Sequence, residues 1–147
     1  MVEIRLVDPE QTRPLRQKVL RPHQTLEELV HPGEKHPATG AFGAFAGDEM
    51  VGTLLVFPET RAGSTSGAQW RLVAMAVDPD YQRRGIGAAL ISACLDYIVA
   101  RGGDEVWCHG RTKVIDFYEA MGFMPDGPEW VDEYTGPHYV MWRRAAS

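Results

Sequence analysis

The chain is poor in cysteine. Its 147 residues hold only Cys94 and Cys108. These are too few for a disulfide framework and, by themselves, for a four-ligand zinc site; no metal is expected. Long apolar runs are missing too: none approaches the roughly 20 residues that a membrane-spanning helix needs, so no membrane contact is expected. Met1-Val2-Glu3 shows no basic region followed by an apolar stretch. That start does not read as an export signal, and a cytoplasmic protein with reduced thiols is expected. Bases are in deficit, with 15 Lys and Arg against 20 Asp and Glu and a net charge of −5. Phosphate-backbone binding is driven by Lys and Arg, so nucleic acid is not an expected partner. Repeats and low-complexity tracts are absent. What remains is 44% hydrophobic and 24% charged, enough for a single domain over residues 1–147 with its own core.

Hydrophobic periodicity divides the chain into elements. Val2, Ile4 and Leu6 alternate with Glu3 and Arg5, as in a short strand. Asp8-Pro9 is a helix start, and Leu15, Val19 and Leu20 share one face of the helix after it. Thr25-Leu26-Glu27-Glu28 has a capping-box pattern and predicts a short second helix. Residues 31–40 are loop by composition. Apolar runs at 41–46 and 50–57 flank Gly47-Asp48-Glu49 and predict a hairpin. A polar connection over 58–69 leads to 70–77, a run dense enough in apolar side chains for a central strand. Ile86, Leu90, Ala93, Cys94, Tyr97 and Ile98 form a helical stripe that stops at Gly102-Gly103. A strand at 105–109, a short helix carrying Val114, Phe117, Tyr118 and Met121, a loop over 126–133 and a last strand at 138–142 complete the chain. The predicted order is β-α-α-β-β-β-α-β-α-β-β in one α/β domain, a mixed twisted central sheet flanked by helices.

The sharpest feature is the junction MAVDPDYQRRGIGAAL over residues 75–90. A buried strand runs through a turn and two glycines into a long helix. Gly85 and Gly87 let the backbone approach a ligand closely. The N–H groups there sit at a helix N-terminus, where an anion is favoured, and Arg83 and Arg84 add fixed positive charge. This is a seat for a pyrophosphate. It is not a Walker loop, because Ala88-Ala89 follow where Gly-Lys-Ser/Thr is needed, and ATP or GTP hydrolysis is disfavoured. Nor is it a dinucleotide fingerprint, since Leu90 stands in place of the third glycine.

With Gln82, Gly85 and Gly87 matching Q/R-x-x-G-x-G/A, with Val73–Pro79 leading into it, and with VIDFYEAMGF at 114–123, the sequence resembles the GNAT superfamily of acyl-CoA-dependent N-acetyltransferases over essentially its whole length. The resemblance implies an enzyme that moves an acetyl group from acetyl-CoA to a primary amine by direct attack in a ternary complex. It implies that main-chain groups of Met75, Ala76 and Val77 pair with the pantetheine arm, an N–H there, most naturally that of Val77, polarising the thioester carbonyl. Loop residues Gln82, Arg83, Arg84, Gly85, Ile86, Gly87 and Ala88 are implied to hold the pyrophosphate, with His109, Lys113 and Phe117 as further coenzyme A contacts. His109 stands where the family commonly has asparagine. Tyr118 matches the family's tyrosine beside the sulfur, and the resemblance favours it as a general acid over a core aromatic on its stripe. The general base is left among Glu133, His138 and His23, the first two preferred. Cys94 and Cys108 are read as buried small hydrophobes. Homodimers are frequent in the superfamily.

Charge points to one more expectation. Arg83, Arg84, Arg101, Arg111 and Lys113 outnumber Asp96, Asp104 and Glu105 over residues 82–113, whereas 126–133 holds Asp126, Glu129, Asp132 and Glu133 with no base. With Trp130 and Tyr134 beside these carboxylates, and Glu27 and Glu28 upstream, a cationic small amine, or a lysine or N-terminal amine, is the expected acceptor. The alternative to an enzyme is a catalytically silent acyl-CoA-binding module.

Overall fold

The computed structural model describes residues 2–65 and 67–146. The strands are β1 (Glu3–Val7), β2 (Gly40–Ala46), β3 (Glu49–Pro58), β4 (Gln69–Val77), β5 (Glu105–Arg111), β6 (Met124–Asp132) and β7 (Gly136–Arg144). The α-helices are α1 (Arg13–Val19), α2 (Ile86–Ala100) and α3 (Ile115–Ala120). All seven strands form one sheet in the order β1-β2-β3-β4-β5-β7-β6. The β4–β5 pair is parallel and every other pair antiparallel. A parallel pair needs a crossover, and α2 supplies it.

Burial explains the composition of each layer. Strands β2 and β3 are covered on both faces, so they read as near-continuous apolar runs. On one face Leu90, Ile91, Cys94 and Ile98 of α2 pack against Phe42, Leu54, Trp70 and Leu72 of the sheet, with Tyr118 and Phe123 alongside. On the other face α1 and the segment after it cover β3 and β4. That second layer rests on a buried ion pair that hydrophobic patterning did not anticipate. Arg16, 4% exposed, reaches Glu34 Oε2 at 3.1 Å and Leu29 O at 2.5 Å. Glu34 also accepts from Arg13 Nη2 at 2.8 Å and from His31 N at 2.8 Å. A buried charge must be paired, and this network satisfies that requirement.

Three sequence expectations are corrected. The capping box at Thr25 forms, with Thr25 N donating to Glu28 Oε1 at 2.9 Å and Glu28 N to Thr25 Oγ1 at 3.2 Å. No helix grows from it: the segment makes turns only, because Leu29 alone is buried there and an isolated turn has no packed face to extend it. The loop at 31–40 contains a 3₁₀ turn at Pro32–Lys35, capped by His31 and held by Glu34. The acidic segment 126–133, read as loop, lies mostly in β6, which is the strand before the last in the predicted order. Its polar sequence is that of an edge strand, where charge and proline face water.

The sheet breaks regularity where the site lies. Thr53 pairs with Ala76 but Leu55 pairs with Val73, so Ala74 and Met75 together oppose Leu54. Ala74 takes φ 56, a left-handed value that a non-glycine residue adopts at a cost. Such a bulge bends the strand and re-aims the residues beyond it. Strands β4 and β5 pair only at Gln69–Glu105, Trp70–Val106 and Arg71–Trp107. Beyond Arg71 and Trp107 they part, and a gap opens toward Val77 and Arg111.

Candidate active site

The gap leads straight into the glycine loop. Asp78 N donates to Val51 O at 2.8 Å, which makes Gly52–Val77 a non-hydrogen-bonded pair. In such a pair the main-chain groups point away from the partner strand, so the Val77 N–H faces the gap. Asp78 itself is fastened by Lys18 Nζ at 2.8 Å and by the N–H of Asp80 at 3.0 Å. These two donors, the lysine foremost, hold its carboxyl below the usual range. The Gln82 side-chain amide donates to Val77 O at 3.1 Å and folds the loop back on the strand.

Arg83 (φ 64) and Gly85 (φ 79) are both left-handed. Alternation of this kind turns successive N–H groups to one side, the geometry of an anion nest. A Cβ on Gly85 would meet nothing within 4 Å, so that position needs glycine for its backbone and not for space. The first internal bond of α2 runs from Ala89 N to Gly85 O at 3.0 Å. The N–H groups of Ile86, Gly87 and Ala88 lie ahead of it, in the unpaired first turn. Gly87 is needed for closeness: a Cβ there would lie 3.0 Å from Met75 Cε and 3.1 Å from Phe117 Cζ. Thus β4, α2 and α3 meet at Gly87. Arg84 stacks 5.0 Å over the Tyr81 ring, beside a recess of about 330 Å³ that Val2, Ile4 and Gly85 also line. A larger recess of about 680 Å³, lined by Ala38, Glu59, Trp70 and Arg101, contains none of the loop residues.

A GNAT acetyltransferase family model matches residues 5–123, most of the length, and the gap and loop just described lie inside that stretch. The chain belongs to the acetyltransferase (GNAT) family. It is 25% identical over 143 residues to the uncharacterized N-acetyltransferase YitI of Bacillus subtilis (strain 168), covering 97% of this chain and 96% of that protein. Among solved structures, an aminoglycoside 6'-N-acetyltransferase complexed with coenzyme A superimposes with a TM-score of 0.75 at 18% identity, over 99% of this chain and 98% of that one. The ribosomal-protein-S18-alanine N-acetyltransferase of Escherichia coli gives 0.74 at 18% identity, over 100% and 96%. These two likenesses are of fold. The GNAT family uses acetyl-CoA as acyl donor, and the residues here fit it: outward amides, a nest, a glycine at the tightest contact and an open strand gap.

The remaining expected site residues divide between the two faces of β5. Cys108 and Tyr118 lie on the α2–α3 face, both buried. Burial, with the Cys108 sulfur beside it, raises the Tyr118 hydroxyl above its ordinary value. It stays protonated and can donate. Burial likewise pushes the Cys108 thiol up to about 12, which removes it as a nucleophile. Cys94 is raised by burial as well. Phe117 lies 5.3 Å from the Tyr118 ring, and Lys113 is exposed in the turn between β5 and α3.

His109 projects to the other face, away from Tyr118. It sits 4.9 Å from Trp130 and 5.5 Å from Trp107. Although its side chain is exposed to solvent, desolvation by the surrounding groups, then the Arg71 charge and His138, hold its pKa down to about 4, so the ring is neutral near pH 7. His138 is buried, stacked on Trp130 at 5.5 Å, with Nδ1 2.7 Å from Gly136 O and Nε2 3.3 Å from Thr135 Oγ1. His23 stacks on Tyr134 at 4.6 Å, bringing the segment after α1 onto the β6–β7 hairpin. Glu133 is exposed in that hairpin turn. The carboxylates expected to attract a cation have work nearer home. Asp126 pairs with Arg61 at 2.5 Å, Glu129 accepts from Thr112 Oγ1 at 2.8 Å, and Asp132 accepts from the N–H groups of Tyr134 and Thr135 at 2.9 and 3.0 Å.

Proposed function

We propose that the protein transfers an acetyl group from acetyl-CoA to a primary amine by direct attack within a ternary complex. The observation that carries this reading is the parting of β4 and β5 immediately before an amide-lined helix N-terminus, in a chain of the acetyltransferase family. Bound there, acetyl-CoA supplies an activated thioester. Gln82 to Ala88 hold its pyrophosphate, with Arg83 and Arg84 countering the charge. The Val77 N–H holds the thioester oxygen as negative charge develops on it, a fixed donor that needs no reorganisation. Tyr118, kept protonated by burial, gives its proton to the departing sulfur. The amine enters from the opposite face, between the segment after α1 and the β6–β7 hairpin, where one of His138, Glu133 and His23, the first two preferred, takes its proton. The acceptor class stays at "primary amine", because three of the four acidic groups in 126–133 are engaged within the chain.

Coenzyme A release from acetyl-CoA across polyamines, aminoglycosides, amino acids and peptides tests this reading. Amine-dependent release is expected with at least one class. Tight acetyl-CoA binding without release against any amine would establish a silent binding module instead.

A further inference from the structure

The face of the gap opposite Tyr118 carries a cation that the acetyl transfer does not use. Arg71 is the last residue of β4 to pair before the gap opens, so its side chain marks the closed end. It shares its row with Phe57 of β3 and Trp107 of β5. Its guanidinium lies 4.9 Å over the Trp107 ring and donates through Nη1 to Glu59 Oε2 at 3.2 Å. Its Nε is buried without a hydrogen-bond partner. A guanidinium recognises a carboxylate through two parallel N–H groups, and Glu59 occupies only one edge of this one.

The surroundings favour an anion over a cation. His31 accepts from Gly33 N at 3.0 Å through Nδ1, which leaves its Nε2 as the donor, and its ring lies 5.2 Å from Phe57. Burial and the Arg71 and Arg16 charges lower its pKa, so it stays neutral. His109 faces the same side from the next outward position of β5. Of the nearby carboxylates, Glu34 is consumed by Arg13 and Arg16, and Glu59 by Arg71.

We infer that Arg71 determines acceptor specificity by binding a carboxylate carried by the amine substrate, remote from the amine itself. This rests on the acetyltransferase reading. Along a strand, residues rise about 3.3 Å each, and the bulge makes Ala74 and Met75 share one step opposite Leu54, so Arg71 lies about 10 Å down the gap from Met75. The acceptor is therefore an amine with a carboxylate at its far end, such as an ω-amino acid or a short peptide.

Acetyl transfer to ω-aminoalkanoates, from 4-aminobutanoate to 8-aminooctanoate, each compared with its own carboxamide, tests the inference. The free acid of at least one length is expected to exceed its amide in kcat/KM by roughly tenfold. Arg71→Gln should abolish that ratio by raising KM for the acid alone, with KM for acetyl-CoA and the melting temperature little changed. Arg71→Lys should restore part of it. Glu59→Gln should keep or increase it. If Arg71 only clamps Glu59, Glu59→Gln and Arg71→Gln would lose activity alike on acid and amide, and the inference falls. Equal rates for acid and amide in the native protein also overturn it while leaving the acetyltransferase reading intact. Absence of transfer to any amine would bring down both.

Discussion

At the residue scale the site divides its labour by environment. Tyr118 and His109 stand on neighbouring elements, yet desolvation acts on them in opposite senses because it disfavours the charged form of each. The tyrosine is kept protonated and the histidine deprotonated. Tyr118→Phe is expected to lower kcat by about 100-fold with acetyl-CoA affinity unchanged, measured by single-turnover kinetics and calorimetry. An equal kcat would return Tyr118 to the core. For His109 the sign follows from proton uptake. Its folded pKa of about 4 lies below the ordinary 6.5, so between these values the unfolded chain binds more protons. The stabilisation is full above pH 6.5 and is lost as pH falls toward 4; His31, also lowered, acts in the same direction. Melting temperature should decline over that window, and His109→Gln should flatten the decline. The sequence supplied both residues as candidates. It did not reveal that they occupy opposite faces of β5, because the parity of a strand is fixed only by what packs on each side.

At the scale of elements, the loop between β4 and α2 was legible in full. Its glycines, its arginines and the helix after it are local features, and local features survive translation into structure. The second layer was less legible. Arg16 follows Leu15 in α1 and breaks its apolar stripe, so pattern reading places it in water. The structure buries it because Glu34, 18 positions away, is there to meet it. Glu34→Ala would leave that guanidinium buried and unpaired and is expected to cost about 3–5 kcal/mol in a denaturation experiment. The prediction fails if the midpoint hardly moves. Gly87→Ala tests the opposite situation, a residue needed for approach. The new Cβ meets Met75 and Phe117 at 3.0 and 3.1 Å, both flexible ends that can shift. Ala in a helix gains about 0.5–1 kcal/mol over Gly, which offsets that shift. Stability should change little, while acetyl-CoA affinity should fall several-fold as the displaced side chains narrow the gap.

At the scale of the whole molecule, the sheet is one seven-stranded layer joined across its middle by a short parallel ladder. Strands β1–β4 and β5–β7 are held together there by the pairs from Gln69–Glu105 to Arg71–Trp107 and by α2. A ligand that bridges the gap should therefore stabilise the entire fold and not the loop alone. At about a hundredfold excess over Kd, acetyl-CoA is expected to add about 2.7 kcal/mol and raise the melting temperature by several degrees. A thermal shift confined to a partial transition would count against a single cooperative sheet.

By itself the sequence determined the strands, the long helix after the glycine loop and the family resemblance, because these are written in local periodicity and glycine placement; the helix expected at Thr25 was not among them. Even the net charge of −5 said little about the site, since it averages over groups whose partners lie far along the chain. Only the tertiary structure decided which of those charges were already satisfied. It tied Asp126 to Arg61 and Glu129 to Thr112, and it set Arg71 at the closed end of the gap with an unpartnered Nε. The reason is physical: a charge does its work through its nearest neighbours in space, and those are chosen by the sheet.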